Sequence, residues 1–111
     1  MRAAFATSDG VHVNEQFRRA SHLAVYRVSP SSFQLEEVHA FAEEDGLRSS
    51  ERIRAIEGAT IVFVAAMGPS SAARLAARGI HPATAPAGTR IEDLLEGLSR
   101  MLASRTAVHA R

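Results

Sequence analysis

The chain contains no cysteine and no lysine. Without cysteine there is no disulfide, no thiolate nucleophile, no zinc ribbon and no cysteine-held iron–sulfur cluster. Any bound metal needs imidazole, carboxylate, thioether or backbone donors. Long apolar runs are also missing. The longest, Ala59–Met67, is far too short to span a membrane. Met1-Arg2 leads into a strand-like run without a signal-peptide pattern, so a cytoplasmic location is expected. Nor is there an excess of one charge: 13 basic side chains, all arginine, face 12 acidic ones, for a net charge of +1. That balance gives no reason to expect nucleic acid or an anionic membrane as a partner. Anion recognition, if present, has to be local.

A length of 111 residues fits a single domain with one core. The most informative stretch is Ser8–His22, which holds two histidines, two carboxylates and two arginines. It links the apolar runs Ala3–Ala6 and Leu23–Tyr26. Strand hairpins usually use about two to five linking residues. A link this much longer, with imidazole, carboxylate and guanidinium groups, reads as a binding loop for an anionic or metal-bearing ligand.

Periodicity predicts strands over Ala3–Thr7, His22–Ser29 and Phe33–Phe41, joined as a meander. Glu43-Glu44-Asp45-Gly46 reads as a solvated turn. Ser49 or Ser50 caps a short helix with Ile53 and Ile56 inward, and Gly58 ends it. Thr60–Ala66 is apolar on both faces, as a covered central strand requires. Gly68-Pro69 opens a second helix, whose small residues Ala72, Ala73 and Ala76 suit close packing, and Gly79 closes it. Ile80–Ala85 is a strand that Pro82 assigns to an edge. Thr89-Arg90-Ile91-Glu92 has the pattern of a capping box. It precedes an apolar stripe of Ile91, Leu94, Leu95, Leu98, Met101 and Leu102. Residues 1–103 are expected to form the domain and 104–111 a frayed tail. The order βββαβαβα predicts an α/β fold with a mixed five-stranded sheet, order 3-2-1-4-5, flanked by helices as in ribonuclease-H-like folds. The loops 8–21, 67–71 and 86–89 should then meet at the switch point beside the first and fourth strands.

Ala4–Glu15, Phe17 and Ala20–Tyr26, with Ala65-Ala66-Met67-Gly68, Ala72–Leu75 and Gly79–Pro82, resemble the dinitrogenase iron–molybdenum cofactor biosynthesis family. This is the NifX, NafY and NifB C-terminal-domain type, and the likeness is greatest to its free-standing NifX form. The resemblance covers about Met1 to Leu102. It implies a non-catalytic carrier for an iron–sulfur cluster precursor, or for the finished iron–molybdenum cofactor, working with nitrogenase assembly proteins. It also implies the ribonuclease-H-like fold. Where family members commonly read His-Phe-Gly, this chain has Gln16-Phe17-Arg18. The family's histidine there is a candidate cluster ligand, and an amide is a weak, hard substitute. An alternative function follows: an interaction or regulatory module that has lost the cluster.

The candidate cofactor-binding residues are His12, Gln16, Arg18, Arg19, Gly68 and Ser70, with His12 and His22 as metal ligands. His12 matches a position often occupied by histidine in the family. Arg18 and Arg19 offer paired N–H donors to an anion. Gly68 and Ser70 lie at the start of a helix, where free amides and the helix dipole favour negative charge. A monomer is favoured. A two-metal nuclease is unsupported, because the fourth strand carries no acid, and no Gly-x-Ser-x-Gly elbow points to a hydrolase.

Overall fold

The computed structural model describes residues 1–42 and 49–109, so the Glu43–Gly46 turn lies outside the described residues. The strands are β1 (Arg2–Thr7), β2 (His12–Val13), β3 (His22–Val28), β4 (Phe33–Ala40), β5 (Ile61–Val64), β6 (His81–Thr84) and β7 (Thr89–Arg90). The α-helices are α1 (Ser49–Ala55), α2 (Pro69–Ala77) and α3 (Ile91–His109), with one 3-10 turn over Phe17–Arg19.

Five strands form a mixed sheet in the order β4-β3-β1-β5-β6. β1 is central. It pairs antiparallel with β3, from Arg2↔Arg27 to Thr7↔His22, and parallel with β5, from Ala3↔Ile61 to Phe5↔Phe63. Its side chains alternate between the two faces, so almost the whole strand is buried. β6, with Pro82, sits at one edge, where a missing N–H leaves no ladder bond unmade. At the other edge the β3–β4 register shifts at Val25/Tyr26. This bulge leaves Glu36 and Glu37 both able to bond the guanidinium of Arg2, at 3.1 and 3.3 Å.

The length predicts one core, but the sheet separates two apolar clusters, one on each face. On one, Ala4, Ala6, Leu23, Val25, Val62 and Val64 meet Ile53, Ile56 and Leu75 from the α1 and α2 side, and Phe17. On the other, Ala3, Phe5 and Val28 lie under Ile91, Leu95 and Leu98 of α3. Burying each Val, Leu, Ile or Phe among these contributes roughly 1.5–3 kcal/mol. Phe5 stacks on Phe63 with centroids 5.4 Å apart and meets the edge of Tyr26 at 5.7 Å.

Three local expectations need correction. Thr89 does not cap α3. It pairs with Val13 in the two-stranded β2–β7 sheet, and its hydroxyl donates to the Pro86 carbonyl at 2.6 Å. The ladder therefore claims the residue that the capping-box pattern places outside the helix. Met101 is on the apolar stripe by spacing but is 43% exposed, while Leu102 beside it packs against the core under α3. On α2, Ser71 and Leu75 are the buried residues, while Ala73 and Ala76 face outward. α3 itself continues beyond the apolar stripe to His109.

Candidate functional site

The link from β1 to β3 is structured throughout. At its start, the Thr7 hydroxyl accepts the amides of Asp9 (3.3 Å) and Gly10 (2.9 Å). Asp9 Oδ1 accepts the amides of Val11 and His12, each at 2.8 Å, and Oδ2 is 2.7 Å from His12 Nδ1. Gly10 completes the turn at φ +77°, a conformation that glycine adopts without steric strain. The His12 side-chain bond, followed by the amides, holds the Asp9 carboxyl well below its ordinary range. Ser8 and Asn14 close the turn reciprocally, Ser8 N to Asn14 Oδ1 at 3.0 Å and Asn14 Nδ2 to Ser8 Oγ at 2.9 Å. The β2–β7 ladder then places His12 opposite Arg90.

The end of the link is tied by Glu15. Its carboxylate accepts the Ser21 amide at 2.9 Å and the Ser21 hydroxyl at 3.0 Å. Ser21 Oγ lies 3.1 Å from His22 Nδ1. A carboxylate only accepts, so the hydroxyl spends its proton on Glu15 and accepts from Nδ1–H of His22. This assignment from the bonding network leaves Nε2 as the unengaged nitrogen of His22. His22 lines a groove of about 260 Å³ with Thr7–Gly10, Ala24, Tyr26, Leu35 and Val38.

Between these anchors the chain crosses the end of β5. Ala65 N donates to Glu15 O at 2.9 Å, Phe17 N donates to Ala66 O at 3.2 Å, and Gln16 forms a parallel bridge with Ala66. Phe17 is fully buried and fixes the 3-10 turn in the core. As a result, Gln16, Phe17 and Arg18 line a recess of about 180 Å³ with Ala66, Met67 and Gly68. Gly68 is the N-cap of α2 and makes no side-chain cap bond, and Pro69 follows. The first amides of the helix lack intrahelical acceptors, which suits a bound anion.

Gln16, Arg18 and Gly68 are therefore brought together. Ser70 is exposed one residue into α2, and Arg19 is exposed on the 3-10 turn, outside the lining of the recess. His12 and His22 are placed elsewhere: His12 turns to Asp9, and His22 faces the separate groove. No histidine lines the Gln16 recess. Among the described residues, no three His, Cys, Asp or Glu side chains gather as a metal-binding group.

Three residues outside the sequence-predicted site, Arg52, Glu15 and Ser21, hold the loop in place. Arg52 lies four residues before Ile56 and beside Ile53, so helical spacing puts it on the inward face. It is 1% exposed, gives Nε and Nη2 to the Ala20 carbonyl at 3.2 and 2.9 Å, and stacks 4.5 Å over the Phe41 ring.

Residues 1–101 match the profile of the family described as "Dinitrogenase iron-molybdenum cofactor". The chain is 36% identical over 107 residues to protein NifX of Herbaspirillum seropedicae, covering 92% of this chain and 73% of that one. It is 33% identical to NifX of Azotobacter vinelandii, covering 88% of this chain and 65% of that one. To protein NifY of Klebsiella pneumoniae it is 29% identical, covering 93% of this chain and 46% of that one. Its fold is similar to the crystal structure of PH0822, with a TM-score of 0.69, 20% identity and 89% of each chain covered.

Proposed function

We propose that this chain, which belongs to the dinitrogenase iron-molybdenum cofactor family, is a non-catalytic carrier in nitrogenase cofactor assembly. Its cargo is an iron–sulfur cluster precursor or the iron–molybdenum cofactor, received from and passed to assembly proteins in the cytoplasm. One observation carries this reading: Gln16 and Arg18 share a recess with Gly68 at the start of α2. An anionic cluster there would meet guanidinium N–H donors from Arg18 and the Gln16 amide, beside Gly68 at the N-cap of α2. Met67 is the soft donor in the lining. The donor set suits holding an anion through hydrogen bonds better than multidentate ligation of iron. His12 and His22, each bonded through Nδ1, keep Nε2 for a metal on neighbouring parts of the same loop. The sheet order and the helices on both faces support the ribonuclease-H-like reading of the fold.

A second reading is favoured by the lack of histidine in the recess: an interaction module of the same family that no longer holds a cluster. One experiment separates the two. The protein is mixed anaerobically with precursor cluster and passed through a sizing column. Co-elution of iron with a visible absorption band is the expected result. Elution free of iron, together with capture of assembly proteins in the absence of cluster, overturns carriage and leaves the interaction module.

A further inference from the structure

We propose that the cleft between α1 and α2 is a separate binding site for a small polyanion carrying two or more phosphate or carboxylate groups. The cleft has a volume of about 380 Å³ and is lined by Ser50, Ile53, Arg54, Arg74, Ala77 and Arg78. It shares no lining residue with the recess at Gln16. The volume lies within the small-molecule range of roughly 300–1,000 Å³.

Three guanidiniums meet here on a protein whose net charge is only +1. Arg74 and Arg78 are four residues apart, so they project from one side of α2. Arg54 comes from the last turn of α1. Two of the three are held in place. Arg74 Nη2 donates to Ser50 Oγ at 2.7 Å, and Arg78 Nη1 donates to Glu57 Oε1 at 2.9 Å. Each of those bonds uses one donor of a five-donor fork and leaves the others for a ligand. Among the described residues, Arg54 has no side-chain partner, and Glu57 is the trio's one carboxylate partner. Ile53 is buried at the floor and Ala77 stands beside it, an apolar surface for the carbon or bridging portion of the ligand. Planar guanidiniums from two helices suit bidentate capture of separate anionic groups on one molecule. A monoanion would engage one fork and gain little over water.

The test titrates the full chain with inorganic pyrophosphate and, separately, with citrate, at fixed ionic strength, following backbone amide shifts. Saturable binding with shifts centred on Ser50, Arg54, Arg74 and Arg78 is expected for at least one probe. Which probe binds identifies phosphate or carboxylate as the source. The double variant Arg54→Gln/Arg74→Gln should bind about tenfold more weakly or worse. Both positions are exposed, and a circular dichroism melt checks that the variant folds. Arg100→Gln, an exposed arginine of α3 on the other face of the sheet, should bind like the wild type. Shifts scattered over the whole surface, equal affinity in the double variant, or an equal effect of chloride at the same ionic strength would overturn the proposal. So would binding of hexaglutamate with neither small anion, which would make the cleft a docking site for an acidic protein segment.

Discussion

The guanidinium of Arg52 closes on the carbonyl of Ala20 with two N–H donors, at 3.2 and 2.9 Å. This ties α1 to the end of the link that carries Gln16, Arg18 and Arg19. The contact is buried, so the carbonyl has no water to fall back on.

Arg52→Met should lower stability by about 2–3 kcal/mol, because it leaves a buried acceptor unsatisfied. Urea unfolding measures this, and hydrogen exchange should speed up at Phe17–Ala20 before it does in β1. Arg52→Lys should recover part of the loss, since one ammonium donor replaces a fork. A midpoint unchanged in Arg52→Met would remove Arg52 from the support of the link.

The Asp9–His12 pair makes stability depend on pH. The Asp9 carboxyl is depressed in the folded chain. Its contribution is therefore complete above the ordinary aspartate value of about 4 and fades as pH falls below it, through the folded value. Asp9→Asn should thus be less stable than wild type at neutral pH, with the gap narrowing in acid. Chemical denaturation at pH 7 and pH 3 tests this. A gap that widens in acid has the wrong sign for the proposed cause.

Gln16→His puts an imidazole at the position where the family resemblance implies a candidate cluster ligand. Cluster affinity should rise by about tenfold or more, the scale on which changes in and around metal ligands act. Anaerobic equilibrium binding followed by visible absorption tests it. Equal or weaker affinity would take position 16 out of the ligand set.

Phe5 joins Phe63 and Tyr26 at the centre of the α3 face. Phe5→Ala should cost about 3–5 kcal/mol, the range for an emptied aromatic site in a core. A differential scanning calorimetry measurement showing less than about 1 kcal/mol would mean that the layer collapses to fill the space.

Most of the fold was legible because strands and helices follow local periodicity. The alternation in Leu23–Val28 and the doubly apolar run at Ile61–Val64 needed no knowledge of their neighbours. Pro82 announced an edge by its missing donor. Thr89 misled because capping chemistry and strand pairing draw on the same residue, and only the position of Val13 decides between them. The candidate site was less legible. Gln16 and Arg18 could be nominated from the sequence, and so could Gly68. Their meeting depends on the Gln16–Ala66 bridge, which joins positions 50 residues apart in the chain.

The sequence alone determined the five strands of the main sheet and the three helices, the exclusion of cysteine chemistry and the identity of the polar link, since each depends on residues within a few positions of one another. The tertiary structure decided where each polar group points. It turned His12 to Asp9, aimed His22 at a different groove, sank Arg52 against Phe41 and gathered three arginines between two helices. Those outcomes depend on distance and burial between remote parts of the chain, and no local pattern encodes them.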